Sequence, residues 1–461
     1  MRRLTVLITI IFLILSASVT LAEVVPVSPE YRMRQGGTPA PNEILHTVRD
    51  GESLYSIAAL YGVTVESIAA LNNITDFNVV LVGQQLRIPA GGAVATTVPL
   101  VEQPAGSTAL LTPVPMNEAS NVGFAFGVQA FLQGQDVTQV VSSVQDLGTT
   151  WVKLRINWAD YETTRGQIDF AGMDARVKPF TDMGLNVLLT LASAPAWARS
   201  TTVEQGPPIV NQDFANFVGQ VASHYQGAVK AYEIWTEPNV RREWNGKPIS
   251  PSEYVNLLAV AYNAVKLADP AALVVTAGLA PTAENDGVNA VDDRQFLRGM
   301  YAAGAANFSD AVGAQPGGWA NPPDSTCCGN NRPAVPAWDD QPAFFFLETL
   351  RAYRQIMNDN GDSGAFIWVT GFGWGSSDGI GTPVNPDFGF VTYTDAQEQS
   401  QYTVRAFQLG RDLSYVGPMF LSNLNGCEVF GESRAECYWS LLDDTGSPRP
   451  VFEAVQAATL Q

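Results

Sequence analysis

Histidine and basic residues are scarce in this chain, and each shortage excludes a class of function. The 461 residues include two histidines, His46 and His224, and neither lies near a nucleophile motif, which argues against Ser-His-Asp and Cys-His triads. Lysine and arginine together number 26 against 45 acidic residues, so the net charge is -19. A chain this acidic offers no basic surface for phosphates or anionic membranes, so we expect no nucleic-acid partner.

Cysteine is also rare, and its spacing argues against a zinc site. The four cysteines are Cys327, Cys328, Cys427 and Cys437, and both histidines are far from them in sequence. In a secreted chain, an even number of cysteines permits two disulfides with three possible connectivities. A bond between Cys427 and Cys437 would close one short loop, while a vicinal pair and cross-pairing between the two loops both remain open. We therefore expect disulfides, and neither a metal nor a cofactor.

Long apolar runs are absent after the N-terminal region. A basic start precedes an apolar run from Leu4 to Leu15, and Thr20 and Ala22 occupy cleavage-like positions. This pattern predicts a secretory signal peptide over residues 1–22, with an uncleaved membrane anchor as the alternative. No later stretch is long and apolar enough to span a bilayer, so we expect a secreted protein without a membrane span after signal cleavage.

Composition divides the rest of the chain into two folded units and two linkers. Residues 23–44 and 91–120 are rich in proline, glycine and small polar residues, as linkers are. Between them lies a compact unit over residues 45–90, and residues 121–461 alternate short apolar runs with helical patterns. The second linker would let one unit hold a polymer while the other samples its neighbourhood.

The unit at residues 45–90 has the pattern strand, helix, helix, strand. Leu54 and Ile57 share one helical face, and Val65 and Ile68 share a second. Its opening HTVRDGESLYSIA and its ending VGQQLRIP resemble the LysM module, which binds N-acetylglucosamine polymers such as peptidoglycan and chitin. The resemblance implies a cell-wall glycan as partner; the alternative is a small spacer domain that binds no glycan. By the same resemblance, the glycan contacts would come from Gly51, Ser53, Leu54, Asn73 and Ile74.

Residues 121–461 carry eight short apolar segments separated by helical patterns. Helix signals are clear, as where Asp136 caps a run that ends at Gly148. Eight strand–helix units predict a TIM (β/α)8 barrel, and hence an α/β fold preceded by a small βααβ domain. The rival is a doubly wound sheet, whose phosphate-binding turn is not supplied by Gly123 to Gly127. The predicted strands are 123–128, 151–156, 186–191, 229–235, 273–277, 311–314, 366–370 and 418–421.

Two of the predicted strand ends carry related motifs. Glu237 lies in the segment YEIWTEPN, and Gly371 lies in the segment IWVTGFGW. Both segments resemble retaining glycosidases of clan A, whose barrels usually read WNEPN after strand four and WxTEFGW after strand seven. The resemblance implies that Glu237 is the acid/base and that Gly371 stands where the nucleophile would be. Because retaining hydrolysis needs two carboxyl groups about 5 Å apart, the standard mechanism lacks one of them.

Other strand ends also depart from the clan A pattern. Thr236 replaces the usual asparagine, Gln315 and Gly317 replace a His and a Tyr, and Ser422 replaces a tryptophan. Polar and aromatic residues near the strand ends nevertheless suit a sugar cleft, because aromatic rings stack on pyranose faces. For any single tryptophan, packing in the core is an equal alternative. The candidate substrate-binding residues are Arg155, Trp158, Trp197, Trp235, Asn239, Gln315, Trp319, Trp374 and Asn423.

Three functions are compatible with these features. The first is a secreted, wall-associated protein whose barrel binds a polysaccharide and hydrolyses it weakly or not at all. The second is an active glycoside hydrolase with Glu237 as acid/base and an unrecognised nucleophile, or an inverting water served by Asp378. The third is a structural scaffold, against which the aromatic strand ends weigh. A fold alone does not decide among them.

Overall fold

The computed structural model describes residues 43–48, 54, 57, 61, 63, 65–74, 80, 83–89, 122–328 and 340–461. The predicted signal peptide and second linker, together with Gly51 and Ser53, lie outside the described residues. Within the part of the chain that the structure describes, no helix is long and apolar enough to cross a membrane.

The N-terminal unit is a two-stranded antiparallel sheet with helices between its strands. Strand β1 (Glu43–Thr47) pairs with β2 (Gln85–Pro89), so the unit begins before the predicted boundary at residue 45. The helix Val65–Asn72 follows helical residues at 54, 57 and 61. Asn72 fixes this helix to the sheet, because its amide donates to the Arg87 carbonyl over 2.7 Å and accepts from the Arg87 N–H over 2.8 Å. The buried core consists of Val48, Leu54, Ile57, Ile68, Ala69, Leu86 and Ile88.

The second unit is a closed barrel of eight parallel strands. Each strand pairs with the next one along the chain, and the last pairs with the first. The predicted α/β barrel is therefore confirmed, and every predicted strand overlaps an observed one. The strands are β3 (Ala125–Gln129), β4 (Trp151–Asn157), β5 (Asn186–Ala192), β6 (Ala231–Ile234), β7 (Leu273–Thr276), β8 (Ala311–Ala314), β9 (Phe366–Phe372) and β10 (Val416–Leu421).

Helices connect these strands, and the main core lies between them and the barrel. The predicted cap is confirmed, since the Asp136 side chain accepts a hydrogen bond from the Thr138 N–H. The α-helices are Val137–Asp146, Trp158–Tyr161, Phe170–Asp182, Asn211–His224, Pro251–Ala268, Asp293–Ala302, Phe346–Asp359, Ala396–Asp412, Gly426–Phe430, Ala435–Tyr438 and Pro450–Thr459. The 3-10 helices are Ala196–Ala198, Ala305–Asn307, Pro342–Phe344 and Pro386–Tyr393.

The barrel interior is layered. Its lower layer is apolar and includes Trp151, Trp368 and Phe420. Above it, Lys153 forms a fully buried ion pair with Glu233, with 2.8 Å between Nζ and Oε2. An unpaired buried charge would be very costly, so each of these side chains needs the other to remain inside the barrel. The pair lies beneath the open end of the barrel and has a structural role.

Two local distortions decide which side chains face the open end of the barrel. Between Val369 and Phe372 the chain is one residue longer than the paired stretch of β10, so β9 contains a β-bulge. The bulge places Phe372 in the outer core, as Val369 is, and turns Gly371 inward. In β6 the regular alternation ends at Trp235, whose φ of 70° is in the left-handed region.

Candidate functional site

A cavity of about 780 Å³ opens at the carboxyl ends of the barrel strands, the edge where barrels place their sites. Its volume is that of a small-molecule site. The lining comes from residues that follow strands all around the barrel. Among them are the two motif positions, Glu237 and Gly371.

Glu237 presents its carboxylate to this cavity, as predicted from its motif. Its backbone has a φ of 47° and is held by a hydrogen bond of 2.9 Å from its N–H to the Gly278 carbonyl. Such strained residues persist where the surrounding structure enforces them, and they cluster at functional sites. The carboxylate forms a close ion pair with Arg242, and the charge of Glu237 raises the pKa of that guanidinium. Glu237 is therefore paired with a cation from its own loop, Arg242.

At the position of the missing nucleophile, the three atoms nearest to a Cβ built on Gly371 belong to uncharged side chains. A Cβ on Gly371 would lie 3.0 Å from Ser422 Oγ and 3.5 Å from Gln315 Cγ. Gln315 in turn donates a hydrogen bond of 3.2 Å to Thr236 Oγ1. Four positions that depart from the clan A pattern thus lie together, and we call Thr236, Gln315, Gly371 and Ser422 the cavity floor.

Glu233 and Asp378 do not replace the missing carboxylate. Glu233 is fully buried, and its oxygens accept bonds from Lys153, Thr190 and the Gly278 N–H. Asp378 does not line the cavity; its Oδ2 accepts from the Ala396 N–H over 3.0 Å. The interpretation of Asp378 as an inverting base is therefore wrong.

Three of the predicted substrate-binding residues, Gln315, Trp319 and Asn423, line the cavity. Asn423 is nearly buried, because its amide holds the loop after β10. Its Oδ1 accepts from the Gly426 N–H over 2.5 Å, and its Nδ2 donates to the Glu436 carbonyl over 3.0 Å. Its main observed contacts are therefore with its own loop.

Trp158, Trp235 and Trp374 lie in the core, so the prediction that they stack on sugar is wrong. None is more than 1% exposed. Their indole N–H groups bond internally, to Glu162 Oε2, the Glu243 carbonyl and the Asn321 carbonyl respectively. The left-handed turn at Trp235 explains one case, since it directs the ring between strand and helix layers, against Phe214 and Trp244.

Trp197, Arg155 and Asn239 also lie off the cavity lining. The Trp197 indole packs on Trp158 and donates to the Glu162 carbonyl over 2.7 Å. Arg155 makes two hydrogen bonds to Glu243, of 3.0 and 3.3 Å. Burial nevertheless raises the pKa of Glu243. Asn239 is fully buried.

Asn239 instead ties two loops together. Its Nδ2 donates to the carbonyls of Ala280 and Val291, and its Oδ1 accepts from the Ala280 N–H. With Arg155, it holds the chain around Glu237, and neither residue lines the cavity.

One side of the cavity is an aromatic surface, of which only Trp319 was predicted from the sequence. Its members come from the loops after β8, β9 and β10, whereas the loops after β5, β6 and β7 contribute charged residues such as Glu204, Arg241 and Glu284. Trp439 lies over the end of β9, where Gly373 and Gly375 leave room: a Cβ on either would be 3.2 Å from the indole. No strand-end motif marks Trp439, since it lies well beyond β10. We call Trp319, Phe388, Phe390 and Trp439 the aromatic wall.

Buried polar side chains hold the aromatic wall from behind. The Arg449 guanidinium donates to four carbonyls, those of Ser376, Asp378, Cys437 and Ser440, over 3.0 to 3.2 Å. Burial lowers the pKa of Arg449. The Gln399 amide joins the same two loops.

A disulfide adds covalent support to the loop after β10, where Cys427 pairs with Cys437. Cys327 is matched with its neighbour Cys328 in the loop after β8, and this pairing joins no separate segments. Cross-pairing between the two loops, which the sequence left open, does not occur in the structure.

The predicted LysM contacts divide among three environments. The Leu54 side chain is fully buried in the core of the unit, so it does not face a ligand. Ile74 packs against that core. Asn73 is exposed, with a φ of 55°, and is free to contact a glycan. Gly51 and Ser53 lie outside the described residues.

The two units of the chain match different known proteins. The LysM domain family matches residues 46–89. A curated relative, the probable autolysin SsaALP of Staphylococcus aureus, is 46% identical over 52 residues. That match covers 11% of this chain and 19% of the relative, so it concerns a short segment of both proteins.

The barrel resembles solved glycoside hydrolases. A family 39 glycoside hydrolase from Bacteroides cellulosilyticus matches with a TM-score of 0.56 and 20% identity, covering 74% of this chain and 64% of that one. A monomeric beta-xylosidase from Caulobacter crescentus matches with a TM-score of 0.51 and 15% identity, covering 72% and 67%. At these identities the likeness shows the fold. The chain thus combines a segment that matches the LysM domain family, at residues 46–89, with a (β/α)8 barrel whose fold resembles that of solved glycoside hydrolases.

Proposed function

We propose that this protein is a secreted, cell-wall-associated glycan-binding protein whose barrel binds a polysaccharide and hydrolyses it weakly or not at all. The proposal of weak or absent hydrolysis rests on the charges in the cavity. Glu237 is paired with Arg242, and Gly371 offers no carboxylate. Retaining hydrolysis needs a nucleophile about 5 Å from the acid/base, and inverting hydrolysis needs a base roughly 6.5 to 9.5 Å away. The cavity floor supplies amide and hydroxyl groups instead.

Glycan binding is supported by the contrast between the two sides of the cavity. The aromatic wall offers ring faces to the apolar faces of pyranoses. The other side offers carboxylates and arginines, which suit sugar hydroxyls because charge-assisted hydrogen bonds are strong. Mostly apolar walls with a few convergent polar groups are typical of binding sites.

The LysM domain supports the proposed association with the cell wall. LysM domains bind N-acetylglucosamine-containing glycans, and the matching relative is a probable autolysin. A tethered glycan-binding domain raises the local concentration of polymer around the barrel without any new contact.

Active hydrolysis is the second candidate function, because other carboxylates share the cavity with Glu237. The most suggestive is Glu436, which lies in the loop after β10 and whose Oε2 is buried without a hydrogen bond among the described residues. A carboxylate there would have to serve as base or nucleophile in place of residue 371.

Turnover of aryl β-glucosides and β-xylosides separates the two candidates. We expect negligible hydrolysis by the full chain, with partial rescue by azide or formate, small anions that fit in front of Gly371. Hydrolysis that is fast without such anions, and that survives Glu237→Gln, would refute both the impaired mechanism and the role of Glu237. Fast hydrolysis that is lost in Glu436→Gln would instead establish the second candidate.

A further inference from the structure

We propose that the cavity takes an N-acetylhexosamine residue, with the 2-acetamido group in the space in front of Gly371. This assignment rests on the glycan-binding function proposed above and names its sugar class. In retaining glycosidases the nucleophile lies next to the anomeric carbon, and the 2-substituent is on the neighbouring ring carbon. The space left by an absent glutamate side chain is therefore beside the 2-position of a bound sugar.

The space beside Gly371 is part of the cavity, because Gly371, Gln315 and Ser422 all line it. The β-bulge in β9 turns Gly371 inward, and Gly371 lines the cavity. The nearest atoms to a Cβ built there are Ser422 Oγ at 3.0 Å and Gln315 Cγ and Cδ at 3.5 and 3.6 Å. No charged group is among these neighbours. An acetamido group is similar in size to the missing side chain and is likewise planar at its end.

The groups around this space match an amide. A secondary amide needs one acceptor for its N–H and one donor for its carbonyl. Gln315 Nε2 is engaged with Thr236, which orients the side chain and leaves Oε1 as an acceptor. The Ser422 hydroxyl, the atom nearest to a Cβ built on Gly371, can donate. For a simple 2-hydroxyl, the same space would remain partly empty.

Trp439 lines the same cavity and presents an apolar edge at the end of β9. Its Cδ1 edge lies 3.2 Å from the position of a Cβ on Gly373, two residues after Gly371. The loop that carries Trp439 is fixed by the Cys427–Cys437 bond and by Arg449. The site is thus built from a rigid apolar edge, an oriented amide and a hydroxyl.

The LysM domain makes this sugar class consistent across the chain. Under the proposed function this domain holds an N-acetylglucosamine-containing glycan, so a barrel that recognises the same acetamido group would bind the polymer to which the domain is attached.

Tryptophan fluorescence can test this assignment. All ten tryptophans lie outside residues 46–89, so tryptophan fluorescence reports on the barrel and not on the LysM domain. The full-length protein is titrated with N,N'-diacetylchitobiose and with cellobiose, which has the same linkage and no acetamido groups. We expect a saturable fluorescence change with an affinity at least about tenfold higher for the acetylated disaccharide.

Two variants locate the acetamido group. Gly371→Ala fills the space with a methyl group and should lower the affinity for diacetylchitobiose about tenfold more than it lowers the affinity for cellobiose. Ser422→Ala removes the donor without reducing the space and keeps the test valid if Gly371→Ala is unstable. Gly219→Ala is the matched control, because a Cβ on this helical glycine makes only ordinary contact with Ala264.

The outcomes separate the sugar class from the function. Equal affinity for both disaccharides would overturn the N-acetylhexosamine assignment and leave glycan binding intact. A preference for the acetylated disaccharide that both Gly371→Ala and Ser422→Ala leave unchanged would overturn it as well. If neither disaccharide changes the fluorescence, the proposed glycan-binding function of the cavity fails, and the assignment fails with it.

Discussion

Gln315 donates its side-chain N–H to Thr236 Oγ1 over 3.2 Å, and this bond joins the ends of β8 and β6 across the cavity floor. Both residues differ from the clan A pattern. The bond shows that the altered positions form one connected surface. Restoring a single residue of the pattern therefore tests how far the rest of the site still supports catalysis.

Gly371→Glu should restore turnover of aryl β-glucosides or β-xylosides. The new carboxylate would project beside Ser422 into the cavity that Glu237 lines, giving the two-carboxyl arrangement that hydrolysis requires. We expect a gain of about 100-fold or more over the unmodified chain, the scale on which single catalytic groups act. Steady-state release of the aryl alcohol measures it.

Gly371→Gln is the matched control, since it has nearly the same shape and no nucleophilic carboxylate. Equal activity in the Glu and Gln variants would mean that the gain does not come from a nucleophile at residue 371.

Asp293 should make the stability of the barrel depend on pH. It is fully buried, its Oδ2 has no hydrogen bond among the described residues, and burial raises its pKa to about 6. An unfolded aspartate has a pKa of about 3.9, so its contribution to stability is full below about pH 4 and is lost as pH rises through 6. At neutral pH the cost is on the order of 2 to 3 kcal/mol.

Asp293→Asn isolates this effect. Thermal melts at pH 4.5 and pH 7.5 should show the variant more stable than the parent at the higher pH, with a smaller difference at the lower one. A difference that is the same at both pH values would show that Asp293 does not titrate in this range.

Arg449→Met should disrupt the aromatic wall. The change leaves four buried carbonyls without their donor, which we expect to cost about 3 kcal/mol and to loosen the loops after β9 and β10. Chemical denaturation gives the free energy of unfolding, and limited proteolysis reports the loops. Arg434→Met, at a mostly exposed arginine of the same loop, should change neither. Similar losses in both variants would rule out a special role for Arg449.

Deletion of residues 43–89 should reduce binding to insoluble peptidoglycan. The LysM domain supplies wall attachment in the proposed function, so we expect the bound fraction to fall several-fold in sedimentation assays. Tryptophan emission, which comes from outside the domain, serves as the folding control. Undiminished binding by the shortened chain would assign wall attachment to the barrel.

The barrel was predictable from sequence because its strands are short apolar segments bounded by turns and helices. All eight were placed within a few residues, and the LysM pattern was equally clear. Side-chain direction at the strand ends was not predictable, because it depends on local backbone. The bulge before Phe372 and the left-handed φ of Trp235 each shift the alternation that a regular strand would have.

The cavity lining was only partly predictable for a different reason. Glu237, Gln315, Trp319 and Asn423 lie near strand ends and were found. Trp439 and Phe388 reach the cavity from long loops whose paths depend on tertiary contacts, so no short motif marks them. The buried tryptophans were misassigned because an aromatic residue near a strand end packs into the core as readily as it lines a cleft.

The position of Arg449 behind the aromatic wall separates two tasks that many sites assign to the same residues. Arg449, which holds the wall, is not among the residues that line the cavity. Substitutions on the cavity side of the wall therefore leave the hydrogen bonds of Arg449 in place. Sugar preference and the attachment of the loops can thus be changed through different residues.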